Sequence, residues 1–283
     1  MKDLMLFTKM RLSFLVLLSA VSGYLFVVDY SKTGWGITLL YLIIGGALVT
    51  GASNGMNQIW ERDLDIKMKR TQNRPLPRGR MTLKQAYIIV YSFLVVGTFF
   101  LYLCNPTSAL LGVISFILYA FVYTPMKTKT PWAVFAGAFP GALPVMIGVV
   151  AYNNQFGLIA GILFMVQFMW QFPHFWAIAW VAYDDYAHGG FYLLPSTGKT
   201  KASAFPGVVY ALLLVPFSLI PWVLDMVGTL TLVLGTILGL IFFLYAYRLY
   251  ITCDTKDAKK LMFASFAYLP LIQYLYVIDR IVP

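Results

Sequence analysis

Three oxygen-bearing side chains, Asn57, Glu61 and Asp65, stand at i, i+4 and i+8 near the end of the second apolar stretch. On a helix that spacing lines them along one face. An amide oxygen beside two carboxylates is a hard donor set, suited to a Mg2+ ion that keeps some waters and shares the oxygens of a substrate phosphate. Glu61 is the only glutamate in the 283 residues. A basic run follows directly, with Lys67, Lys69, Arg70, Arg74, Arg78 and Arg80 around Pro75 and Pro77. Arginine makes planar two-pronged contacts to phosphate, and prolines lower the ordering cost of a loop that closes on a ligand. Further along come the acidic pair Asp184 and Asp185, the cations Lys127 and Lys129 beside Tyr123, and His174 within Gln171-Phe-Pro-His-Phe175.

Each cluster also has a plainer reading. The first acids can form a solvated helix end paired with Arg62, Lys67 and Lys69, and Asp184 and Asp185 can sit on an exposed loop near Lys199 and Lys201. A basic loop commonly marks orientation and touches anionic lipid. A histidine inside a span is often hydrogen-bonded to a neighbouring helix, its alternatives being a substrate group or haem iron. His188 reads as structural or substrate-adjacent.

The elements that must position these groups are membrane spans. The chain is 60% apolar and 11% charged, against about 45–50% and about 25% in soluble domains. Crossing the hydrocarbon takes about 20 apolar residues. Nine segments qualify: 12–28, 36–58, 85–104, 107–124, 132–151, 157–180, 204–224, 227–247 and 261–278. With the N-terminus cytoplasmic, every one of the 21 basic residues except Lys32 and Arg280 falls on the cytoplasmic side, as the Lys/Arg bias of such loops requires. The surplus of base therefore reports orientation, and nucleic acid is not needed to explain it. The expected architecture is an all-α integral membrane protein, one polytopic domain over 1–283, in a bacterial inner membrane. Spans 2 and 6 run in the same direction, so their acidic ends emerge on one face. The two longest inner loops, about 60–84 and 184–203, follow even-numbered spans four apart, which hints at a parallel repeat. Cys104 and Cys253 lie at opposite ends of the spans and form no disulfide framework.

Asn-x3-Glu-x3-Asp at 57, 61 and 65 resembles the Asn-x3-Asp-x3-Asp motif of the intramembrane prenyltransferases of the UbiA superfamily. The string from Asn57 to Pro77 resembles more narrowly the superfamily's protohaem IX farnesyltransferase family. So do Leu6-Phe-Thr-Lys9, Tyr123-Thr124-Pro125, Ala138 to Ala142, Gln171 to Phe175, Asp184 to Gly190 and Leu194-Pro195. Met10 replaces a frequent proline, Glu61 a usual aspartate, and Trp180 and Val181 stand where a second acidic motif would carry an earlier acid.

The resemblance implies a nine-helix bundle around a central, lipid-accessible cavity. It also implies Mg2+-dependent transfer of a farnesyl group from farnesyl diphosphate to a vinyl group of protohaem IX, yielding haem O, with haem A synthase or oxidase assembly factors as implied partners. By position, Asn57, Glu61 and Asp65 would bind Mg2+–diphosphate, and Asp184 and Asp185 a second metal. Arg70, Arg74 and Arg78, with Lys127, Lys129 and Tyr123, would meet the substrate, and His174 the haem. Two rivals share parts of the pattern: a related prenyltransferase with a small aromatic acceptor for quinone synthesis, and a transporter, which would hold such acids nearer the midplane on broken helices.

Overall fold

A computed structural model describes residues 2–281. Met1, Val282 and Pro283 of the expected single domain, and the side chain of Arg11, one of the cations assigned to the inner face, lie outside the described residues. Among the described residues nine long helices follow one another: α1 (Met10–Val27), α2 (Trp35–Trp60), α3 (Leu83–Cys104), α4 (Pro106–Met126), α5 (Ala133–Asn153), α6 (Leu158–Val181), α7 (Lys201–Val223), α8 (Thr229–Thr252) and α9 (Thr255–Ile278). Eight are long and apolar enough to cross a membrane, and the apolar part of α1, Ser13–Val27, is shorter. Large apolar side chains such as Val95, Phe99, Leu244 and Phe263 point outward, which suits lipid and not water. The protein is a multi-pass membrane protein.

Helices answer the demand that every backbone polar group in hydrocarbon be bonded internally. Their ends are cut by local chemistry. Thr82 caps α3 in a reciprocal box with Gln85, and Asn105 caps α4 ahead of Pro106. The last helix begins at Thr255, earlier than the 261 expected from hydropathy, because the Asp254 side chain accepts from the Lys256 amide and starts a polar turn.

Consecutive helices pack side by side, and α9 returns to α1 to close the bundle. Helix α5 is the innermost, lying against α1, α4 and α6. Its contact with α1 is close: a Cβ at Gly23 would strike the Val145 carbonyl oxygen, and one at Gly148 the Ala20 carbonyl oxygen. Small residues permit such approach where lipid supplies no hydrophobic drive between helices. Pro144 leaves the Pro140 carbonyl without its helical donor, and Ser115 Oγ donates to it at 3.4 Å. Gln171 and Gln167 of α6 donate to the Ala138 and Gly141 carbonyls of α5, each at 2.8 Å.

One end of the bundle gathers the N-terminal segment, the basic loop after α2, the turn after α4 and the segment after α6. Their mutual contacts bring the acidic row and the cations together. Lys32 and Arg280 lie at the other end, where Arg280 donates to the Leu25 and Val28 carbonyls.

Candidate active site

Helix α2 ends at Trp60, and a four-residue helix, Arg62–Asp65, follows after a one-residue break at Glu61. The helical ladder bridges the break, since the Glu61 amide donates to the Asn57 carbonyl at 3.0 Å and the Asp65 amide to the Glu61 carbonyl at 2.7 Å. The row expected from the spacing is therefore intact, and Asn57, Glu61 and Asp65 are all buried. Only Asp63 behaves as a solvated acid, paired with Arg62.

Three cations from distant segments meet the row. Lys9 Nζ donates to Asn57 Oδ1 at 2.7 Å, Lys127 Nζ to Glu61 Oε1 at 2.8 Å, and Arg74 to both Asp65 oxygens at 2.6 and 2.7 Å. Arg74 also lies 3.9 Å from Glu61 Oε2. Burial raises the pKa of the Glu61 carboxyl, yet Lys127 and Lys9 outweigh it and hold the group below its ordinary value. At Asp65 burial prevails over Arg74 and the carboxyl sits above its usual range. Burial works against the Lys127 ammonium, but Glu61 more than offsets it and raises its pKa. Burial and then Arg74 press Lys9 well below its usual value, with Glu61 opposing.

Lys9 is the residue whose place in the site sequence reasoning missed, having counted it toward orientation and as the end of the Leu6-Phe-Thr-Lys9 string. It sits between the short helix Lys2–Phe7 and α1 with φ at 49°, a left-handed conformation costly for a side-chain-bearing residue. Two polar residues of α2 hold that turn: Asn54 Nδ2 donates to the Thr8 carbonyl at 3.1 Å, and Gln58 Nε2 to the Leu6 and Phe7 carbonyls at 2.9 and 2.8 Å. Asn54 and Gln58, uncommon groups at membrane depth, are the signal that leads to Lys9.

The basic loop is ordered from the other acidic pair. Asp185 Oδ1 accepts from the Lys69 amide at 2.7 Å and Oδ2 from the Arg70 amide at 3.4 Å. Arg70 donates to the Tyr186 hydroxyl and lies 5.3 Å from its ring centroid. Asp184 is exposed and faces Lys199 at 3.4 Å. Among the described residues Asp184 and Asp185 do not join Glu61 and Asp65 in one metal-holding group. Arg78 is exposed and donates to the Asn73 side chain, Lys129 is exposed, and His188 contacts the Asp184 carbonyl.

A string of contacts leads inward from Glu61. The Lys127 ammonium lies 4.5 Å from the Tyr123 ring centroid, Tyr123 packs on Phe175 at 6.2 Å, and Phe175 on His174 at 5.6 Å. His174 is buried, stacks on Trp170 at 4.3 Å, and sits 2.7 Å from Ser265 Oγ through Nδ1. That hydroxyl already donates to the Met262 carbonyl at 2.6 Å. With its proton on that carbonyl the hydroxyl accepts from Nδ1–H, the tautomer in which Nε2 is the bare acceptor. The plain reading of His174 thus holds for one nitrogen of its ring.

A model of the UbiA prenyltransferase family matches residues 16–268. The chain is 47% identical over 280 residues to a protein from Christiangramia forsetii named protoheme IX farnesyltransferase, covering 97% of this chain and 92% of that one. A protein of the same name from Flavobacterium psychrophilum is 45% identical over 278 residues, covering 96% and 92%. The fold is similar to that of a UbiA homolog from Archaeoglobus fulgidus bound to GPP and Mg2+, with a TM-score of 0.71 at 14% identity, covering 97% and 99% of the two chains. The chain belongs to the UbiA prenyltransferase family, beside the protohaem IX farnesyltransferases, and is a polytopic membrane prenyltransferase.

Proposed function

We propose that the protein transfers a farnesyl group from farnesyl diphosphate to a vinyl group of protohaem IX, with Mg2+ at the Asn57–Glu61–Asp65 row. One observation carries the reading: a buried amide and two buried carboxylates lie in direct contact with Lys9, Arg74 and Lys127. Acids alone would repel a diphosphate and cations alone would not hold a metal, so this alternation suits the pair together. The names of the curated relatives supply the haem acceptor and the farnesyl donor. The A. fulgidus homolog supplies the precedent for a prenyl diphosphate with Mg2+ on this fold.

The donor set fits the ion, being all oxygen and two carboxylates strong, with the remaining positions left to water and phosphate. Bound there, Mg2+ would act as a Lewis acid toward the diphosphate oxygens. The protein's own groups do the rest. Arg74 and Lys127 lie against Asp65 and Glu61 and have diphosphate oxygens as their next partners. Arg70 extends the basic surface from the loop that Asp185 orders, and Arg78 and Lys129 stand at its exposed rim. In this geometry Asp185 organises the loop through one amide on each oxygen, and a second-metal role for Asp184 and Asp185 would draw on the lone pairs those bonds leave.

As the bond from carbon 1 of the donor to oxygen breaks, positive charge spreads over the allylic carbons. Tyr123 and Phe175, next in line from Lys127, offer ring faces to such a cation. The haem vinyl carbon attacks, water adds to the cation formed on the other vinyl carbon, and one proton leaves with the diphosphate. His174 Nε2, inside that layer, is the acceptor-side contact. The site faces the cytoplasm of a bacterial inner membrane on the charge distribution of the loops.

Membranes carrying the protein, given haem B, farnesyl diphosphate and Mg2+, are expected to form haem O detectable by mass. Prenylation of a small aromatic acceptor in place of haem would overturn the assignment.

A further inference from the structure

Helix α4 is not uniformly α-helical: Leu118–Tyr123 forms a π turn, and the Thr124 amide donates back to the Tyr119 carbonyl. A wide turn inserts one residue and rotates the next part of the helix by about 100°. Thr124, near the end of α4, and Lys127, just beyond it, come after the wide turn and reach the acidic face of α2.

Lys127 takes Glu61. Thr124 takes Asn57: Asn57 Nδ2 donates to Thr124 Oγ1 at 3.2 Å, and that hydroxyl donates to the Tyr119 carbonyl at 2.8 Å. The direction of the second bond decides that of the first. A hydroxyl has one proton, and once it is spent on Tyr119 the oxygen can only accept. It therefore requires the amide nitrogen of Asn57 and turns the amide oxygen away, toward Lys9 Nζ at 2.7 Å. A reversed amide would set oxygen against a hydroxyl with no proton to give, and NH2 against Lys9.

We propose that Thr124, presented by the π turn, is a positioning residue that keeps the Asn57 amide oxygen aimed at the cation locus, and so sets the affinity of the site for a metal–diphosphate complex. The proposal rests on the reading of Asn57 as a metal ligand. An amide has one oxygen, so its orientation matters where a carboxylate's does not. Groups that orient a ligand typically change metal affinity by about 10–100-fold when removed.

The test is a titration of purified protein with Mn2+ and inorganic pyrophosphate, read by electron paramagnetic resonance and independent of turnover. Thr124→Val should weaken binding by about tenfold or more, and Thr124→Ser, which keeps the hydroxyl, should bind within about twofold of wild type. Thr124→Ala must repeat the loss, which guards against a packing effect of valine. In an Asn57→Asp background, where either carboxylate oxygen can face the metal, Thr124→Val should cost little. Wild-type affinity in both Thr124→Val and Thr124→Ala, or a loss that persists undiminished on Asn57→Asp, overturns the proposal. Asn57→Ala binding Mn2+–pyrophosphate as wild type does would instead overturn the reading beneath it, and the two failures are distinguishable.

Discussion

At the scale of single residues the site is a set of reciprocal charges, and removing one partner exposes the other. Glu61→Gln takes away a carboxylate of the row and leaves the buried Lys127 ammonium without its ion pair. Turnover is expected to fall by at least about a hundredfold, the scale of a lost preorganised electrostatic contact. The protein should also lose about 3–5 kcal/mol, the usual cost of stranding a buried charge. Adding Lys127→Met should recover the melting temperature in detergent but not the activity. A double variant that stays as unstable as the single one would show that the pair is not what the geometry makes it. Arg74→Ala should raise KM for the prenyl diphosphate by about tenfold or more, the worth of a charge-assisted hydrogen bond, with haem binding unchanged in a spectral titration. Equal losses on both substrates would point to a fold defect.

At the scale of elements, packing decides which residues can meet. Helices α1 and α5 approach closely enough that Gly23 and Gly148 face carbonyl oxygens. Gly148→Val should lower detergent stability by at least about 1–3 kcal/mol, the usual cost of overpacking. It should not change the metal–pyrophosphate affinity of whatever fraction folds. The loop after α2 owes its order to Asp185. Asp185→Ala is expected to speed hydrogen exchange at the Lys69 and Arg70 amides, measured by mass spectrometry, and to raise KM for the donor; unchanged exchange would remove Asp185 from that role. Part of this was legible in the chain. The acidic row, the basic loop and the His174 string were marked by residue type and spacing. The π turn was not, because a wide turn alters hydrogen-bond phase without altering hydropathy.

At the scale of the whole molecule, the segregation of charge makes one face of the bundle electropositive, and the site lies at that face. If the N-terminal side is cytoplasmic, a thiol reagent that cannot cross membranes should label Lys32→Cys in intact cells, with Cys104 and Cys253 replaced. It should spare Lys129→Cys until the cells are opened. The opposite pattern would invert the orientation.

The sequence by itself determined that this is a helical membrane protein, which residues line up along the end of α2, and on which side the bases collect. Those are properties of neighbours in the chain and of their transfer into lipid. Only the tertiary structure decided which cation meets which acid. Lys9, Arg74 and Lys127 are separated by dozens of residues, yet each finds a different member of one row. It likewise made Asp185 a support for the arginine loop, and Thr124 the group that turns an amide. Such pairings depend on the phase of helices and the paths of loops, which burial and hydrogen-bond satisfaction settle together and spacing along the chain does not encode.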